Sequence, residues 1–250
     1  MTLANSRAVR SAPSGATPDI DGGTSHPRPP RRVCVIGNSA VAAVHRAYKD
    51  GFVTDGFEFS FFARNHPYFD EIAFEGTSIS GCNFSSGGNA DMLEYDDFVI
   101  YGDLISPSDP FKLDRLSSSR HYSLQVLNTV VRNRVVRSKS AWLSQALHEM
   151  TGKPVFLLSK NISLPTRIES NPDYELISTA IAAALAPGHY IPHPAALLSA
   201  EGRVEFHKNA IGIGGSPHNP VKTPTYDTNH LNAVGGALIL GHIVAHLRLV

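Results

Sequence analysis

The sequence predicts a three-layer α/β/α domain built around a mostly parallel sheet. Two observations carry that expectation. Short, β-branched apolar runs have the length of buried parallel strands, and helical patterns alternate with them along the chain. No internal linker divides the 250 residues, and 42% apolar content is enough to bury one substantial core.

In chain order, residues 1–31 are rich in Ser, Pro, Gly and Ala without apolar periodicity. They are expected to form a disordered tail, because such a segment cannot offset its ordering entropy by burial. The domain is expected over 32–250. Val33-Cys34-Val35-Ile36 reads as the first strand, ending at Gly37-Asn38-Ser39, and Ala40 to Lys49 as a helix. Phe57 to Ala63 is the second strand. Residues 64–94 hold Gly76, Gly81, Gly87 and Gly88 with little periodicity and read as a long functional loop. Phe98 to Tyr101 forms a third strand ending at Gly102-Asp103. Ser119 to Met150 is helical, breaking near Ser138. Pro154 to Ser159 is a fourth strand, and Pro172 to Leu185 a helix closed by Pro187-Gly188. Residues 188–226 are irregular, with one short strand expected at Val204 to His207. Leu231 to Leu249 is the last helix, with Leu231, Val234, Leu238 and Ala245 on one face.

Lys plus Arg total 22 and so do Asp plus Glu. No chain-wide basic field exists to attract nucleic acid or an anionic membrane. The N-terminus lacks the apolar core of a secretory signal, and no apolar run approaches the ~20 residues needed to span a bilayer. Two cysteines form neither a disulfide framework nor a metal set, which suits a reducing, cytoplasmic setting.

Sites in parallel sheets lie at the carboxyl ends of the strands, where Ser39 follows the first strand and Gly102-Asp103 the third. A serine between strand and helix holds its hydroxyl at the sheet edge and its N–H at a helix N-terminus. Both suit attack on an acyl carbon, since that N–H and the helix dipole stabilise an oxyanion. The alternative is an N-cap serine. Position 41 is Val, so the Gly-x-Ser-x-Gly elbow of α/β-hydrolases is not formed. Asp227-Thr228-Asn229-His230-Leu231 precedes the last helix. Histidine titrates in the range needed to activate a serine, and a carboxylate orients the imidazole. Capping by Asp227 or Asn229 is the alternative there.

Together, Gly37-Asn38-Ser39 and Asp227-x-x-His230-Leu231 resemble the first and last sequence blocks of the SGNH (GDSL-like) esterase and acyltransferase superfamily. A Tyr95-Asp96-Asp97-Phe98 segment before the third strand is similar to a bacterial SGNH-like branch. The resemblance implies a flavodoxin-like sheet, Ser39 as nucleophile, His230 as base and Asp227 as its orienting carboxylate. It also implies an oxyanion hole from the Ser39 N–H, a loop glycine (Gly81, Gly87 or Gly88) and the third block at Gly102-Asp103. That block carries asparagine in the family and Asp103 here, whose charge would repel an oxyanion, so Asn38, Asn65 or Asn83 are the other donors to consider.

The implied activity is cleavage of small O-acyl esters, such as acetyl, on a small molecule or carbohydrate through an acyl-Ser39 intermediate. O-acyl transfer to a sugar and a catalytically silent binding protein are the alternatives. No cofactor or metal is expected. His242 and His246 have ligand spacing but lack the intervening Glu of a zinc protease, and Gly212-Ile213-Gly214-Gly215 opens no helix. Arg132, Arg134, Arg137 and Lys139 form a basic cluster read as a solvated face.

Overall fold

The computed structural model describes residues 29–65, 67–86, 88–105, 123–159, 174–185, 188–199, 206 and 231–250. Most of the expected N-terminal tail, Gly87, the Gly212–Gly215 run, Asp227 and His230 lie outside the described residues. In chain order the elements are β1 (Arg31–Gly37), α1 (Val41–Lys49), β2 (Phe57–Ala63), β3 (Ala73–Glu75), β4 (Ser78–Ser80), β5 (Phe84–Ser86) and β6 (Asp97–Leu104). They continue with α2 (Leu124–Val135), α3 (Lys139–Thr151), β7 (Val155–Ser159), α4 (Tyr174–Ala184), β8 (His189–Ile191) and α5 (Ala233–Leu247).

Val33 to Ile36 have no solvent exposure because β1 lies inside the sheet, between β2 and β6. The six-stranded sheet runs β5-β2-β1-β6-β7-β8. Only β5 is antiparallel to its neighbour. Counted among themselves, the parallel strands have the order 2-1-3-4-5 of a flavodoxin-like sheet. Successive β1 side chains point to opposite faces. Val33 and Val35 pack with α1 and α5, whereas Cys34 and Ile36 pack with α2, α3 and α4. That gives the three layers.

The direction of α5 follows from its C-terminal end. At the amino edge of the sheet, Arg31 Nε donates to buried Asp97 at 2.9 Å, and Arg31 Nη1 donates to the Leu247 carbonyl at 3.0 Å. Fifteen residues of helix span about 22 Å, so α5 begins at the carboxyl edge and descends beside α1. The two helices approach closely at Gly236, where a Cβ would lie 2.1 Å from the Ala43 carbonyl oxygen. A side chain at that position would force them apart.

The structure corrects several expectations. Residues 64–94 are not one loop: they contain the β3–β4 hairpin and β5, whose three-residue strands are too short to leave a periodic signal. The third strand runs to Leu104. The helix break falls at Ser138 as expected, where the side chain accepts from the Ala141 amide at 3.1 Å. A fifth parallel strand, β8, lies at 189–191, and Phe206 has helical rather than strand backbone. The buried face of α5 carries Gly235, Gly236, Ile239, Leu240, Ile243, Val244 and Leu247, while Val234 is exposed. Leu231 is buried but precedes the helix, so counting the period from it misplaced the face.

Candidate active site

The turn after β1 is held by contacts that leave little freedom. Gly37 lies against β6, with a Cβ there only 2.1 Å from the Tyr101 oxygen, so no larger residue fits. Asn38 N donates to the Tyr101 carbonyl at 3.3 Å. The Asn38 side chain closes the turn: Nδ2 donates to the Gly102 carbonyl at 2.5 Å, and Oδ1 accepts from the Ala40 amide at 2.9 Å. Gly102 has φ +110°, and a Cβ there would lie 2.2 Å from Asn38 Oδ1. Both glycines are required by close approach at the β1/β6 boundary, the switch point where ligands of doubly wound sheets bind. Ser39 follows, and Ala40, not Ser39, occupies the N-cap position of α1.

Ser39 lines a cavity of about 260 Å³ at this edge. One wall is Ser39, in the turn before α1, with Ala42 and His45 of α1, the three spaced three apart in the chain. The other is Ala63 and Asn65 from the end of β2, with Asn83 and Phe84 at the start of β5. All three asparagines considered as oxyanion donors, Asn38, Asn65 and Asn83, line it. The Asn83 N–H donates to the Ala63 carbonyl at 3.0 Å, which holds that residue at the mouth.

His45 and Phe84 were not singled out from sequence. The His45 ring stands edge-on to Phe61 and Phe84, with centroids 5.1 and 4.9 Å away. Burial, aided by Lys49, pulls its pKa below the ordinary histidine value and favours the neutral ring. Its position on the helical face that starts at Ser39 was the available signal, but the partner wall on β5 left none.

Among the other expected oxyanion residues, Gly81 has φ +75° and packs on the Glu71 carbonyl, where a Cβ would lie 2.1 Å from the oxygen. Gly88 packs against Ser60 and Tyr95. The register of β6 on β7 shifts between Tyr101 and Leu104, and such a bulge re-aims the side chains beyond it. Asp103 Oδ2 accepts from the Ser140 amide at 3.4 Å, at the positive N-terminus of α3. That contact gives the Asp103 carboxylate a structural setting of its own.

Asp227 and His230 lie outside the described residues, but the chain that follows them is placed. Leu231 is buried in the core shared by α1 and α5. Asn232 N donates to the Phe206 carbonyl at 2.7 Å, and Asn232 Oδ1 accepts from the Gly235 amide at 2.8 Å. Asn232 is therefore the N-cap of α5, which removes the capping reading of Asp227 and Asn229. The start of α5 lies at the same carboxyl edge as Ser39.

Elsewhere, His242 Nε2 donates to the Pro192 carbonyl at 2.9 Å and His246 Nδ1 to the His242 carbonyl at 2.8 Å. Among the described residues no group of three or more His, Cys, Asp or Glu could hold a metal. In the basic cluster, Lys139 Nζ lies 3.9 Å from the Trp142 ring centroid. Both cysteines are free. Burial pushes the Cys34 thiol well up and Cys82 to about 11, so neither supplies a thiolate near neutral pH.

Strand order and layers define a doubly wound, flavodoxin-like α/β protein, with the Ser39 cavity beside the end of β1 on its β2–β5 side. No helix among the described residues is long and apolar enough to cross a membrane. No family model matches the chain, and no curated protein matches it. Among solved structures, the chain is similar to the lipase Lip_vut3 from a goat rumen metagenome, at 14% identity and a TM-score of 0.40, covering 86% of this chain and 96% of that one.

Proposed function

We propose that the protein is a serine esterase acting on small O-acyl esters. The observation that carries this reading is the position of Ser39: at the switch point, beside a helix N-terminus, in a cavity ringed by three side-chain amides. Ser39 Oγ attacks the ester carbonyl as His230 takes its proton, and Asp227 holds the imidazole in the productive tautomer. The oxyanion accepts hydrogen bonds from the Ser39 N–H and the amides of Asn65 and Asn83. With Asp103 engaged at α3, these neutral donors replace the third-block asparagine. Collapse of the tetrahedral species breaks the ester C–O bond, and the leaving alkoxide takes the proton from His230. Water, activated by the same imidazole, then hydrolyses the acyl-serine.

The parallel descent of α1 and α5 from one edge supports a shared pocket for the two motifs. Turnover of p-nitrophenyl acetate tests the reading. Ser39→Ala is expected to lower kcat by more than about a thousandfold while leaving the fold intact. Turnover that survives in Ser39→Ala would refute it.

A further inference from the structure

The end of β6 carries a charge that works against the reaction proposed above. Gly102 packs on both chain neighbours of Ser39: a Cβ there would lie 2.2 Å from Asn38 Oδ1 and 3.0 Å from the Ala40 Cβ. Its carbonyl accepts from Asn38 Nδ2. Asp103 is the next residue along the strand and is only half-buried. A carboxylate one residue beyond that contact opposes the build-up of a second negative charge on an oxyanion at Ser39. The cost to turnover depends on what balances it.

Two groups at the start of α3 act on that carboxylate. The Ser140 amide donates to Asp103 Oδ2 at 3.4 Å, a long bond that brings only the partial charge of a helix N-terminus. The adjacent residue, Lys139, brings a full charge. Burial lowers the Lys139 pKa, while the fields of Asp70 and Asp103 act the other way, favouring the ammonium. The side chain is also held. Lys139 Nζ stands 3.9 Å from the ring centroid of Trp142, three residues along the helix. That ring is stacked on Phe74 of β3, with centroids 6.1 Å apart and planes inclined by 19°. Asp70 belongs to the short helical turn Tyr68–Glu71 just before β3. The β3–β4 hairpin thus bears on the end of β6 through Trp142 and Lys139.

We propose that Lys139 is a positioning residue for the esterase: pinned by Trp142 and Phe74, it balances the Asp103 carboxylate at the start of α3, so that the oxyanion at Ser39 forms without an opposing charge. This rests on the esterase reading above. Lys139 acts through Asp103 and not on the substrate. An unbalanced Asp103 raises the energy of the anionic transition state and leaves binding of a neutral ester alone, so the effect falls on kcat rather than KM.

The test is a double-mutant cycle in p-nitrophenyl acetate hydrolysis by the full chain. Lys139→Gln should lower kcat about tenfold with KM unchanged, the scale of one unbalanced charge near a protein surface. Lys139→Arg keeps the charge and should restore most of the rate. In the Asp103→Asn background, Lys139→Gln should cost nothing further, because no carboxylate is left to balance. If Lys139→Gln folds poorly, Trp142→Leu, which releases the ammonium, replaces it, and its loss of kcat should likewise vanish with Asp103→Asn. An unchanged kcat in the single variant overturns the assignment, and so does an equal loss with and without Asp103, which marks a purely structural lysine. A wild-type protein without turnover overturns the esterase reading itself, and this assignment with it.

Discussion

The Asn38 carboxamide bridges two backbone segments, donating to the Gly102 carbonyl at 2.5 Å while accepting from the Ala40 amide at 2.9 Å. One side chain thus ties the end of β1 to β6 and sets the entry angle of α1, with Ser39 between its two bonds. Asn38→Ala leaves both backbone groups without this partner. The expected cost is about 1–3 kcal/mol in urea unfolding, together with a fall in kcat larger than any change in KM, since the nucleophile is misplaced rather than the substrate lost.

Gly102→Ala should be among the most damaging single-methyl additions. The new Cβ would meet Asn38 Oδ1 at 2.2 Å, at a φ of +110° that alanine rarely adopts. A loss of at least about 2 kcal/mol is expected. Gly76 provides the control: its φ is +63° but nothing lies within 4 Å of a Cβ. Gly76→Ala should cost only the backbone strain, about 1–2 kcal/mol, and thermal melts of the two variants give the comparison.

Asp103→Asn separates an oxyanion role from a structural one. The carboxylate accepts from Ser140 N at the start of α3, where a negative charge contributes about 0.3–1 kcal/mol through the helix dipole. The variant should lose that amount of stability without gaining turnover. A rise in turnover would return Asp103 to the oxyanion pocket.

His242 gives the pH dependence of stability. Burial holds its pKa below the ordinary value, outweighing its bond to Pro192. The folded state therefore binds that proton less readily than the unfolded chain. Its contribution is present above about pH 6.5, the unfolded value, and is lost as pH falls through the lower folded value. The urea midpoint should drop on acidification through this window, and the drop should be smaller in His242→Gln. His45, shifted the same way, adds to it. Equal drops in the wild type and His242→Gln would show that His242 is not responsible.

The layered architecture was legible because buried parallel strands are marked by composition: Val33 to Ile36 and Phe57 to Ala63 read directly as β1 and β2. The helix break near Ser138 was legible too, and its side chain caps α3 there. What stayed hidden depends on tertiary contact. β5 and β8 are three-residue edge strands, and only pairing with β2 and β7 makes them strands. Asn65 and Asn83 were legible as possible donors, but their meeting with Ser39 required β5 to fold onto β2. The setting of Asp103 required the β6 bulge, which no local pattern announces.

The most direct test of the central claim is fluorophosphonate labelling, followed by mapping of the modified peptide and the pH dependence of its rate. A single adduct on Ser39 is expected, absent in Ser39→Ala, forming at a rate that rises through the histidine titration range and falls steeply in His230→Ala. Labelling at another residue, or a Ser39 adduct that forms equally fast in His230→Ala, would contradict it.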